Sequence, residues 1–127
     1  MKKEVIYYNY YYTINNTERG TVVNIQFKKG VLELCVLALL EKGDRYGYDI
    51  AAAFGERIDI SDGTVYPILR RLLSDAYLSS YIKESSGGPP RKYYAITEKG
   101  RNFLIVLESE WRDFANQVNL LIEEEAK

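Results

Sequence analysis

The run KKGVLELCVLALLEKG, Lys28 to Gly43, carries apolar side chains on nearly every face of a helix. Val31, Leu34, Cys35, Ala38 and Leu39 recur at helical spacing, and Leu32, Val36, Leu37 and Leu40 fill the gaps. A helix of that kind is buried on several sides. In a chain of 127 residues, 46% hydrophobic and 28% charged, a single small domain has to wrap most of it, and a second subunit is the natural cover for the rest. Gly43 and Asp44 end the helix.

Downstream, YGYDIAAAFGER predicts a short second helix with Ile50, Ala53 and Phe54 on one face, weakened by Gly55. In DISDGTVYPILRRLLSDAY, Val65, Ile68, Leu69, Leu72 and Leu73 follow an i, i+3, i+4, i+7, i+8 pattern and define a third helix. Its opposite face carries Gly63, Pro67, Arg70, Arg71 and Ser74 rather than the Glu and Lys of an ordinary solvated face. Ser61 or Asp62 can cap it, and Pro67 then implies either a local distortion or a later cap at Thr64. YLSSYIKE and RKYYAIT read as two strands joined by SSGGPP. From the Thr97 cap the chain predicts one long helix in which Leu104, Leu107, Trp111, Phe114, Val118 and Leu121 are spaced 3, 4, 3, 4, 3. Such a seam seeks a partner helix, read as a homodimer interface, with packing back on its own domain as the alternative.

Several function classes fall away. Histidine is absent, which removes the commonest general base and zinc ligand. Cys35 is the one cysteine, so no intramolecular disulfide or cysteine-rich metal site can form, and a buried, inert thiol is expected. There is no GxxxxGK phosphate loop. No cofactor, metal or enzymatic activity is expected. MKKEVIYYNYYYTINN lacks the leucine-rich stretch of a signal peptide, and no run reaches the ~18 apolar residues of a membrane span. A cytoplasmic protein is expected. The net charge of −1 is uneven: Lys28 to Arg101 holds 12 Lys/Arg against 10 Asp/Glu, and Asn102 to Lys127 holds 2 against 6. A mildly basic middle permits a phosphate-binding face on a nearly neutral protein.

Three helices followed by a two-stranded hairpin is the order of a winged helix, whose third helix enters the DNA major groove while the hairpin tip lies on phosphate or minor groove. Fold class is thus α+β: a winged helix-turn-helix domain with one long C-terminal dimerisation helix. LELCVLALLEKGDRYGYDI, SDGTVYPILRRL and GGPPRKYYAITEKGR together resemble the PadR family of transcriptional regulators, in its short form with a single C-terminal helix. The resemblance covers roughly Lys28 to Glu123. It implies a dimeric repressor on a palindromic operator, released when a small molecule or a stress signal reshapes the dimer. In that pattern Ser61, Gly63, Thr64 and Tyr66 open the recognition helix, Arg70 and Arg71 follow one turn later, and Tyr46 resembles a phosphate-contacting tyrosine. The wing offers Gly88, Arg91 and Lys92; the plain alternative is a turn with a solvated cation pair. Tyr93 and Tyr94 alternate in direction, so one should pack inward.

Trp111 matches the tryptophan with which multidrug-binding short members stack planar compounds, and this implies an effector pocket with Phe27 and Leu34 as walls and Glu33 and Asp113 nearby. Seam packing is the alternative for Trp111. The segments divide as 1–26, an N-terminal extension that is disordered or not natively translated; 27–97, the winged helix; and 98–127, the dimer helix. The competing view of the front end is an arm reaching DNA or the partner subunit. The rival function is a winged helix that binds protein instead of DNA, favoured by the near-zero net charge. An intact mass matching initiation at Val22 or Val23 is expected if the preceding residues are not made; a full-length mass excludes that idea.

Overall fold

The computed structural model of the chain describes residues 25–58 and 60–126, with side chains described from Gly30 to Glu124 apart from Asp59. Nearly all of the N-terminal extension, and the Phe27 side chain, lie outside the described residues. The chain divides into two compact units, Met1–Val31 and Leu32–Lys127. In the first, residues 25–31 are helical. The second holds the core and the sheet.

Helix α1 spans Ile25–Glu41. It turns Leu32, Val36, Leu37 and Leu40 into the core and leaves Leu34, Cys35, Ala38 and Leu39 half-buried, as an all-round apolar helix in a small domain must. Strand β1 (Arg45–Tyr46) leads directly into α2 (Gly47–Arg57), which buries Ile50, Ala51 and Phe54. Helix α3 (Asp62–Ser74) buries Val65, Ile68, Leu69 and Leu72, the stripe its periodicity predicts. Strands β2 (Leu78–Lys83) and β3 (Arg91–Ile96) form the hairpin, and α4 (Glu98–Ala126) closes the chain. The architecture is an α+β winged helix with a long C-terminal helix.

One detail differs from the sequence reading, and one choice left open there is resolved. The sheet has three antiparallel strands in the order β1-β3-β2, because Arg45 and Tyr46 pair with Tyr94 and Tyr93. A two-residue strand between a helix breaker and a helix start carries no alternating pattern by which it could be read. Helix α3 also runs through Pro67 from an extended Ser61 cap whose side chain bonds no helix amide. The Ser61 carbonyl accepts from the Thr64 amide at 3.0 Å, and the two hydroxyls lie 3.2 Å apart, so the first turn forms ahead of the proline.

The C-terminal end of α3 is unusual. Ala76 occupies the left-handed region at φ 64°, where the added Cβ costs roughly 1–2 kcal/mol. The Ala76 amide donates to the Leu73 carbonyl and the Tyr77 amide to Leu72, which is the Schellman pattern that ordinarily has glycine at this position. Packed against this turn is Gly100, where a Cβ would fall 2.1 Å from the Tyr77 carbonyl oxygen and 2.8 Å from Ile96. No side chain larger than hydrogen fits there. Ala76→Gly is expected to raise stability by roughly 0.5–1 kcal/mol, and Gly100→Ala to lower it by about 2–3 kcal/mol. Denaturant melts of the two variants check both signs.

Candidate nucleic-acid interface

The outer side of α3 is fixed by what its inner side buries. With Val65, Ile68, Leu69 and Leu72 in the core, Ser61, Gly63, Pro67, Arg70 and Ser74 are exposed, while Thr64 and Tyr66 are half-buried. Arg70 projects from this face with no ion pair among the described residues. Arg71 is engaged differently: its guanidinium pairs with the Glu33 carboxylate of α1, in a half-buried position. It ties α3 to α1 instead of extending the exposed face. That partner lies 38 residues away, beyond the reach of any local pattern.

The wing follows from strand alternation. Partners across β2 and β3 run from Leu78↔Ile96 to Lys83↔Arg91, so Arg91, Tyr93, Tyr81 and Lys83 share the outer face of the sheet and Lys92, Tyr94 and Ile96 the inner one. Tyr46, Tyr93 and Tyr81 are direct cross-strand partners and make a row across all three strands. Their ring centroids are 6.1 and 5.7 Å apart. At one end of the row the Tyr81 hydroxyl donates to Asp44 at 2.8 Å, and this hydrogen bond, with the nearby carboxylate, pushes the phenol above its usual range. At the other end Tyr48 stacks on Tyr46 at 6.2 Å. Tyr81 stacks on Tyr93 at an interplanar angle of 14° and Tyr46 is tilted by 33° to Tyr93, so the row braces the three strands of the wing.

The cations rest on this aromatic frame. The Arg91 guanidinium lies over the Tyr46 ring at 4.9 Å, the Lys83 ammonium over Tyr93 at 5.3 Å and the Lys92 ammonium over Tyr94 at 5.5 Å. Stacking holds a guanidinium by its face and leaves its N–H edge free for an anion. The wing tip is closed by the Ser85 hydroxyl, which donates to the Pro89 carbonyl at 2.6 Å, and by Gly87 in the left-handed region at φ 74°. Gly88 is exposed beside it. Lys83 and Tyr48 are members of this surface that the sequence reading missed. The hairpin register gives Lys83, since seven loop residues place it opposite Arg91; Tyr48, 60% exposed, left no comparable signal.

The wing and α3 both reach the start of α2. Tyr94, buried from β3, and Tyr66, from α3, both approach the first residue of α2, where a Cβ on Gly47 would lie 3.2 and 3.6 Å from their rings. Burial, then the Asp62 carboxylate, pushes the Tyr66 phenol up, so it is a neutral hydrogen-bonding group at ordinary pH.

Along α4, Leu104 is buried and Leu107 and Val118 are half-buried, whereas Trp111, Phe114 and Leu121 are 39%, 51% and 60% exposed. The seam therefore anchors to its own domain only at its start. An open pocket of about 250 Å³ lies between α1 and α2, lined by Cys35, Ala38, Leu39 and Phe54 with Lys42 and Arg57. Neither Leu34 nor Trp111 lines it. Cys35 is half-buried, and burial pushes its thiol up, which favours the protonated form. Among the described residues there is no cluster of potential metal ligands, and no helix long and apolar enough to cross a membrane.

Comparison with known proteins is consistent along most of the chain. The profile of the Transcriptional regulator PadR-like family matches residues 36–105. An uncharacterised protein of Lysinibacillus sphaericus is 32% identical over 99 residues, covering 75% of this chain and 91% of that protein. A PadR-like transcription factor from Bacteroides fragilis superposes with a TM-score of 0.65 at 44% identity, over 76% of this chain and 94% of the other. Bacillus subtilis PadR, a negative transcriptional regulator, has been solved in complex with operator DNA; it superposes with a TM-score of 0.53 at 28% identity over 58% of this chain, which spans 44% of that structure. The family consists of transcriptional regulators, not enzymes. With the profile, the relatives and the winged-helix architecture in agreement, this chain belongs to the PadR-like family of transcriptional regulators.

Proposed function

We propose that this chain is a dimeric, cytoplasmic transcriptional repressor that binds a palindromic operator through α3 and the wing. The observation that carries this reading is that α3 and the wing pack on one core cluster, with Val65, Ile68 and Leu69 from the helix and Tyr94 and Ile96 from the hairpin. The exposed face of α3 carries Arg70, the outer face of the wing carries Lys83 and Arg91, Lys92 lies on the inner face, and the elements that bear them meet at Gly47 through Tyr66 and Tyr94. Ser61, Gly63, Thr64 and Tyr66 bring small groups and hydroxyls to the start of the helix that enters the major groove; Arg70 reads a base edge from the next turn. Tyr46 supports Arg91 from below, and Gly88 lets the wing tip approach the backbone. Arg71 keeps its pair with Glu33 and serves by holding α3 in place. Support from relatives comes from the Bacillus subtilis protein, a negative regulator crystallised on operator DNA.

The dimer rests on α4. Leu104 anchors the helix, and Leu107, Trp111, Phe114, Val118 and Leu121 continue an apolar seam outward that a second copy would cover. The segments keep the division 1–26, 27–97 and 98–127. An effector that is planar and apolar would stack on Trp111 with Leu34 as a wall, and Asp113 would remain for a cationic substituent, since Glu33 is committed to Arg71.

Capture of fragments from the source genome tests the function, and a retained fragment with a two-fold repeat is expected. Arg70→Ala should weaken binding to it by about 1–3 kcal/mol and relax the preference at one base pair. Arg91→Ala should lower the slope of log K against log salt by about 1 while leaving sequence preference intact. Binding that ignores salt would instead identify a protein-interaction module. Phe114→Asp is expected to convert the dimer to a monomer in sedimentation, and planar cationic compounds to quench Trp111 fluorescence; an unchanged sedimentation coefficient and an unquenched tryptophan would contradict the two assignments.

A further inference from the structure

We propose that Thr97, with Lys99, is a positioning residue for DNA reading: it locks the N-terminus of α4 onto the C-terminal turn of α3 and thereby sets the angle at which α3 meets DNA. The inference rests on the proposed DNA-reading role of α3 and adds residues that face away from DNA.

The geometry is a two-sided cap. Thr97 caps α4, its hydroxyl accepting from the Gly100 amide at 3.0 Å and its carbonyl from the Arg101 amide at 2.9 Å. The same hydroxyl aims its one proton at the carbonyls of Ala76 and Tyr77, 2.8 and 3.0 Å away, and the Thr97 amide donates to Tyr77 at 3.1 Å. Those carbonyls belong to the turn that ends α3. Lys99 adds a second tie: its ammonium donates to the Asp75 carbonyl at 2.8 Å and lies over the Tyr77 ring at 4.7 Å. A cation at the C-terminus of a helix complements its dipole, and here α4 supplies that cation to α3. Tyr77 stacks on Phe103 at 4.3 Å, and Gly100 lets the two backbones meet without a side chain between them.

The turn so held is the strained one. Ala76 stands in a left-handed position that glycine fills without cost, and such strain persists where surrounding contacts over-determine it. The outer half of α4 is an apolar face, so whatever covers that face fixes the direction of α4. Through Thr97 and Lys99 that direction is imposed on α3 at Asp75, Ala76 and Tyr77, less than two turns from Arg70. The connection reaches α3 itself, independently of the wing cations.

The test uses full-length protein and a duplex selected by the wild type from a random-sequence pool, measured beside an unrelated duplex. Thr97→Val keeps the shape and removes the hydroxyl; Thr97→Ser keeps the hydroxyl. The expected result is a fall of roughly five- to tenfold in the ratio of specific to non-specific affinity for Thr97→Val, unchanged affinity for the unrelated duplex, and recovery in Thr97→Ser. A role confined to stability would lower the melting temperature of Thr97→Val and leave the ratio at its wild-type value, overturning the proposal. Lys99→Met, at an exposed position, gives the same readout with a smaller loss if Thr97→Val does not fold; a wild-type ratio there is equally contradictory. Amide exchange separates this proposal from the reading beneath it. If the wild type selects no duplex, the DNA reading fails, and joint acceleration of exchange at Ala76, Tyr77, Gly100 and Arg101 in Thr97→Val still establishes the lock. Acceleration at Gly100 and Arg101 alone rejects the lock.

Discussion

The approach of Tyr94 and Tyr66 to Gly47 holds the arrangement of the surface proposed to face DNA. Three elements converge there: β3 brings Tyr94, α3 brings Tyr66, and α2 begins with a residue that leaves them room. Tyr94 also belongs to the core formed with Val36, Ile50 and Leu69. The wing is thus fixed to the same apolar cluster that fixes α3, and neither can turn without disturbing the packing of the other. In a domain with so small a core, that sharing is what makes a flexible-looking hairpin a defined surface.

The outer face of the sheet solves a related problem. A three-stranded sheet in which one strand has two residues has few ladder bonds to hold its edge. The row Tyr46, Tyr93, Tyr81 spans all three strands and ends in the Tyr81–Asp44 hydrogen bond, so side chains supply the lateral cohesion that the short strand cannot. The same rings seat Arg91 and Lys83. Structural bracing and cation placement are one feature here. At the far end of α3, Thr97 and Lys99 fix its last turn to α4. The helix is held at its start by Tyr66, along its length by Arg71 and Glu33, and at its end by α4, which leaves Arg70 as the arginine on its open face.

Legibility in the sequence followed the range of the interactions. Periodicity placed α3 and α4, because burial of a stripe writes itself at regular spacing; an apolar run on every face placed α1, and strand-length tyrosine and isoleucine runs around SSGGPP placed the hairpin. That one of Tyr93 and Tyr94 packs inward follows from alternation; that it is Tyr94 comes from the fold. Contacts made across the chain left no local mark: Glu33 with Arg71, Asp44 with Tyr81, Thr97 with Ala76. Arg71 looked like a neighbour of Arg70 with the same task, and only the fold shows it turned toward α1. The two-residue β1 was too short for any pattern, and the left-handed Ala76 is hidden by a residue type that does not advertise its conformation. Loop closure by SSGGPP, by contrast, was readable because glycine and proline announce backbone geometry directly.

The central claim is that α3 and the wing form a single surface that reads one operator half-site, repeated by the second subunit. Guanine N7 methylation interference on a selected duplex tests it most directly, since N7 lies in the major groove. The account predicts two zones of interference centred about 10 base pairs or a multiple of that apart. Binding untouched by N7 methylation, or interference in a single zone with no repeat, would contradict it.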